Sequence, residues 1–114
     1  MNGGIKTKFA LVAGFAIAVA VPAAAQDAKK GEALAQQQCA ACHGKDFLTP
    51  IDETYPKLAG QYQDYLEKVL RDYKTGARKN AIMNGIAKPL TRGDIRDVST
   101  YLAALPGPLS NEKR

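Results

Sequence analysis

The sequence predicts an all-α domain, and three observations carry that expectation. Two stretches, 61–75 and 91–105, repeat apolar residues at the helical spacing of three and four. No stretch alternates apolar and polar residues in the way a half-buried strand does. Proline, glycine and aspartate gather in the segments between, where they interrupt the helical pattern.

Composition sets the outer bounds. The chain has 114 residues, 24% of them charged and 46% hydrophobic, which is ordinary for a folded domain and excludes a disordered one. Aromatic residues are only 7% and tryptophan is absent, so a domain this small has a marginal core that a bound group would complete. Two cysteines permit one disulfide at most.

The first 25 residues read as a removable leader. Lys6 and Lys8 form a positive region, and Phe9–Val21 follows as thirteen residues without a polar side chain. Pro22 interrupts the run, and Ala23-Ala24-Ala25 offers a small-residue cleavage site before Gln26. The alternative is a membrane anchor, but a spanning helix needs about 20 apolar residues. No arginine pair precedes the run, which favours export of an unfolded chain. The expectation is a cleaved signal peptide at 1–25, a mature domain at 26–114 and a periplasmic location, with no spanning segment after processing. Loss of Lys6 and Lys8 lowers the net charge from +5 to +3, too mild to argue for nucleic acid as a partner.

The mature elements follow in order. Asp27 caps a first helix running to about Gln38, with Ala28, Gly31, Leu34 and Ala35 on one face. Gly31 inside a helix costs up to about 1 kcal/mol against alanine, so it marks a close contact with another helix. Residues 44–60 read as loop, since Asp46, Pro50, Asp52 and Pro56 punctuate them. The helix of 61–75 carries Tyr62, Tyr65, Leu66, Val69, Leu70 and Tyr73 on its apolar stripe. Asp64–Lys68 and Glu67–Arg71 are acid-before-base pairs on its outer face. Gly76 stops it, and 77–90 read as a second loop. Thr91, with Asp94 three residues on, caps a last helix whose stripe is Ile95, Val98, Tyr101, Leu102 and Leu105. Pro106 ends it, and the tail to Arg114 reads as loose.

Both cysteines and the histidine of the mature chain fall within five residues, Cys39-Ala40-Ala41-Cys42-His43. That C-x-x-C-H run is the attachment pattern of c-type haem. Two thiols three residues apart near a helix end reach the two vinyl groups on one side of a porphyrin. Each adds as a thioether, and the next residue then offers an imidazole nitrogen to the iron. Three other readings fare worse. A zinc site wants a second pair of ligands, which the chain lacks. A redox dithiol wants a βαβ setting. A disulfide closing so small a loop stabilises little and leaves His43 unexplained.

The second axial ligand follows by elimination. The mature chain has no other histidine and one methionine, Met83, forty residues after His43. Methionine is commonly core filler, but Met83 lies on no helical stripe and is the remaining soft donor. An open or water-bound iron is the alternative.

Taken together, the chain resembles the class I bacterial cytochromes c. It is similar to the single-haem c-553 type and to one domain of the di-haem cytochromes c4. The likeness runs from Lys30-Gly31-Glu32 through Cys39-Ala40-Ala41-Cys42-His43-Gly44 and Tyr55-Pro56-Lys57-Leu58-Ala59-Gly60-Gln61. It continues through Tyr65-Leu66, Gly76-Ala77-Arg78 and Met83 to Tyr101-Leu102. A cytochrome c4 repeats the unit; this sequence carries one C-x-x-C-H, so one covalent haem c is expected. The resemblance implies terminal helices that cross near Gly31 around that haem. It implies that the Pro56 carbonyl accepts from the His43 ring, that Leu58 packs beside the haem and that Met83 completes the coordination. By sequence alone Pro56 also reads as a plain loop proline.

These expectations converge on a one-electron carrier, not an enzyme. Two strong ligands leave iron no open position, and His/Met ligation raises the potential. Redox proteins are the expected partners: a quinol-oxidising complex or dehydrogenase on one side, a terminal oxidase or reductase on the other. The rivals are a haem subunit fixed to a periplasmic dehydrogenase and, if Met83 is not on iron, a catalytic or gas-sensing haem. Lys45, Lys57, Arg78, Lys79, Lys88, Arg92 and Arg96 are candidates for a basic ring at the haem edge or for ordinary surface. Arg78 is alternatively a partner for a haem propionate.

Overall fold

The computed structural model describes residues 3–4, 8–19 and 27–113. The expected cleavage site lies outside them. All regular structure among the described residues is helical: α1 Ala28–Gln38, α2 Ala40–His43, α3 Gln63–Thr75, α4 Ala81–Ala87 and α5 Arg92–Ala104, then a 3-10 turn at Pro108–Lys113. None of these helices is long and apolar enough to cross a membrane.

α1 starts where the Asp27 carboxylate accepts from the Lys30 N–H at 3.0 Å. Ala35 and Gly31 form its buried face. At Gly31 the helix crosses α5 so closely that a β-carbon there would lie 2.0 Å from the Asp97 carbonyl oxygen. The crossing of terminal helices therefore depends on a missing side chain. α5 is opened by a complete capping box: Asp94 N–H donates to Thr91 Oγ1 at 3.1 Å, and Thr91 N–H donates to the Asp94 carboxylate at 2.8 Å. Ile95, Val98 and Leu102 are buried against α1 and α3, joined by Leu66 and Leu70 of α3.

Four expectations need correction. The segment 77–90 is not all loop, because Asn80 caps α4 by accepting from Met83 N–H at 3.0 Å. Seven residues are too few to display a helical period, and only Ala87 among them is buried. On α3, Glu67 pairs with Arg71 at 3.1 Å, but Lys68 pairs with Asp72 and not with Asp64. Tyr62 and Tyr65 also leave the buried stripe and stay exposed. The tail is not wholly irregular either, since it ends in the 3-10 turn.

The 44–60 segment is irregular yet anchored. Phe47 lies at its centre, fully buried, with its ring edge-on to Tyr101 at 6.0 Å. Its carbonyl accepts from Leu58 and Ala59 N–H at 2.9 and 3.1 Å. Phe47 holds φ at +57°, a conformation that strains a non-glycine residue and survives because burial and these bonds over-determine it.

Candidate haem-binding site

The C-x-x-C-H run sits on the turn that joins α1 to α2. Cys39 closes α1 through its N–H to Ala35 O at 2.8 Å. Its own carbonyl starts α2 by accepting from Cys42 and His43 N–H at 3.2 and 3.0 Å. Gly44 then turns the chain away at φ +87°, where a β-carbon would strike Thr49 O at 2.2 Å. The motif is thus held by backbone on both sides.

Both cysteines are half-buried, and neither is in a disulfide. Burial, then the neighbouring Cys42, pushes the Cys39 thiol up to about 11. It is therefore protonated at neutral pH and lacks the low-pKa thiolate of a redox dithiol. Among the described residues, no three of His, Cys, Asp and Glu converge into a group able to hold a bare metal ion. A closed zinc site does not assemble there.

His43 is buried, and its Nδ1 lies 2.8 Å from the Pro56 carbonyl oxygen. A carbonyl can only accept, so Nδ1 carries the proton, and in the neutral ring the lone pair is then on Nε2. The ring also meets Tyr55 edge-on at 6.0 Å. Pro56 itself is exposed, while Leu58 is half-buried and packs on the core beside Phe47. Met83 lies on α4, half-buried, and packs against the same core. The structure therefore places His43 with Pro56 in direct contact and sets Leu58 and Met83 on one core.

Other residues organise this region without any motif announcing them. Phe47 ties the loop that carries Pro56 to α5. Asn84 ties α4 to the end of α3 through the Tyr73 carbonyl at 2.7 Å. Arg78 lies over the Tyr73 ring at 5.2 Å, and its guanidinium donates to the Tyr65 side chain, a bond that helps keep it charged. The only signal for Asn84 in the sequence is its chemistry, an amide near a loop-to-helix boundary.

The arrangement suits one kind of group. Two thiols at the sequence spacing that porphyrin vinyls require, beside an imidazole oriented through Nδ1, define a c-type haem protein of the all-helical class. The comparisons agree. Residues 28–106 match the Cytochrome c family model, and the chain belongs to that family. It is a class I c-type cytochrome similar to a cytochrome c4 domain, with covalent haem c as its cofactor.

Cytochrome c4 of Thiocapsa roseopersicina is 43% identical over 82 residues, covering 70% of this chain and 41% of that protein. Cytochrome c-554(548) of Halomonas halodenitrificans is 41% identical over 71 residues, 58% of this chain and 82% of that one. A thiosulfate dehydrogenase electron acceptor of Thiomonas intermedia is 42% identical over 67 residues, 59% of this chain and 31% of that protein. Among solved structures, the cytochrome c4 of Acidithiobacillus ferrooxidans superposes with a TM-score of 0.65 at 36% identity. It covers 68% of this chain and 49% of its own. The chain spans roughly a third to a half of the length of these longer relatives.

Proposed function

We propose that this chain is a periplasmic one-electron carrier whose haem c is held by Cys39 and Cys42 and ligated by His43 and Met83. The observation that carries the reading is the 2.8 Å contact of His43 Nδ1 with the Pro56 carbonyl. It orients the imidazole, fixes its tautomer and strengthens Nε2 as a ligand. Haem iron supplies a reversible ferric–ferrous couple. The protein's own residues do the rest. Met83, on α4, would supply a soft sulfur that favours the ferrous state. Leu66 and Leu70 of the core, with Leu58 packed on it and Val69 on the same helix, would form an apolar surround that disfavours the additional ferric charge. Held by both His43 and Met83, the iron would offer no place to a substrate, so the proposed role is carriage and not catalysis.

Redox proteins are the proposed partners. Lys45, Lys57, Arg78, Lys79, Lys88 and Arg92 are exposed and suit an acidic docking surface. Arg96 is half-buried, with a buried Nε that finds no partner, and drops out of that ring. The thiosulfate dehydrogenase electron acceptor among the relatives supports a second reading, in which the donor is one dedicated dehydrogenase.

The test is direct. Protein from a secreting host should begin at Gln26 by mass, carry covalent haem and titrate as a single one-electron couple. It should show the weak near-infrared band of sulfur bound to ferric iron and should not bind carbon monoxide when reduced. A retained leader that partitions into membranes would overturn the periplasmic shuttle. Ready carbon monoxide binding would replace the carrier by a catalytic or sensing haem.

A further inference from the structure

The Asn84 side chain is the centre of a hydrogen-bond knot. Its Nδ2 donates to the Tyr73 carbonyl at 2.7 Å and to the Arg78 carbonyl at 2.8 Å. Its Oδ1 accepts from Asn80 N–H at 2.9 Å. One side chain thereby joins the last turn of α3, the turn that follows and the cap of α4. Asn80 completes the knot by accepting from Met83 N–H at 3.0 Å.

α4 needs such a tether. It has seven residues, includes Gly85 and buries only Ala87, while Ile82 is 54% exposed. Isolated helices shorter than about 12–15 residues are marginal in water. Beyond Ala87 only the half-buried Met83 packs on the core, so polar bonds must supply much of what fixes α4 against α3. Lys74 Nζ reaches the Lys88 carbonyl at 2.7 Å, but Lys74 is exposed and its long chain costs entropy to hold. The Asn84 amide is short and uses both of its protons and its oxygen at once.

We infer that Asn84 is the positioning residue for the Met83 thioether, holding α4 so that the sulfur stays on iron. The inference rests on the reading of Met83 as the axial ligand. Its physical content is kinetic: with Asn84 cut away, α4 swings off α3 more often and the sulfur leaves more often. Loss of the two carbonyl bonds should be felt at this segment first, because the crossing of α1 and α5 does not involve it.

The experiment uses the haem-loaded, oxidised protein and imidazole as the probe. The saturating rate of imidazole binding reports how often Met83 leaves iron. Asn84→Ala should raise that rate roughly tenfold or more, equivalent to about 1.4 kcal/mol, the scale of one or two hydrogen bonds. Asn84→Asp keeps an acceptor for Asn80 N–H but loses both donors, and it should show a similar rise if the alanine variant loads haem poorly. Asp27→Ala, which removes the α1 cap far from α4, should lower stability without changing the rate. A wild type with the near-infrared band whose rate is unchanged in both Asn84 variants would overturn the inference and leave Met83 as ligand. A wild type without the band that binds carbon monoxide outright would overturn both.

Discussion

Gly31 meets the Asp97 carbonyl with no space between them: a β-carbon on Gly31 would lie 2.0 Å from that oxygen and 3.1 Å from the Tyr101 β-carbon. The obstacle is α5 backbone, which cannot rotate aside like a side chain. Two effects oppose each other in Gly31→Ala. Helix propensity favours alanine by about 1 kcal/mol. Overpacking costs about 1–3 kcal/mol, at the upper end when backbone must move. The expected result is a net loss of about 1–2 kcal/mol of unfolding free energy, read from denaturant unfolding of the haem-loaded protein. A more stable alanine variant would show that α1 and α5 can slide apart.

Haem attachment should depend on the two thiols jointly. Cys42→Ala leaves at most one thioether, and the double variant with Cys39→Ala should yield no stable haem-loaded protein. Acid–acetone extraction followed by mass measurement separates covalent from loose haem. Since the core without haem is small, the double variant should also lose most of its helical circular dichroism.

Met83→Ala should keep covalent haem, because Cys39 and Cys42 are untouched. It should lose the near-infrared band, lower the midpoint potential and begin to bind carbon monoxide. Met83→His should close the site again at a potential below that of the wild type. Potentiometry with optical detection reads all three.

Asp94 gives a pH dependence with a defined sign. Bonds from Thr91, chiefly its backbone N–H, hold the Asp94 carboxyl below its ordinary value, with help from Lys30. A depressed folded-state value means the contribution is present above the unfolded value and is lost as pH falls through the folded one. Asp94→Asn should therefore cost about 0.3–1 kcal/mol at pH 7, the usual worth of such a cap. In urea unfolding, the gap between variant and wild type should close as pH drops toward 3. A constant gap would remove the carboxylate charge from the account.

Much of the site was legible because its chemistry is local. Cys39, Cys42 and His43 lie within five residues, and attachment needs those residue types at that spacing. α1, α3 and α5 were legible for a similar reason: eleven to thirteen residues are enough for a buried face to repeat. The box of Thr91 and Asp94 is likewise a contact between near neighbours in the chain.

Only the tertiary structure decided the rest, because the deciding forces join residues distant in sequence. α4 is too short to carry a period, and what sets it against α3 is the Asn84 amide on carbonyls eleven and six residues away. Lys68 had acids four residues away on both sides, and the structure pairs it with Asp72. Phe47 looked like one residue of a loop, yet its burial against Tyr101 and its left-handed backbone organise the segment that delivers Pro56 to His43. The sequence by itself determined which groups are available to a haem. Packing determined where their lone pairs and protons lie, since a backbone carbonyl such as that of Pro56 has no letter of its own in the sequence.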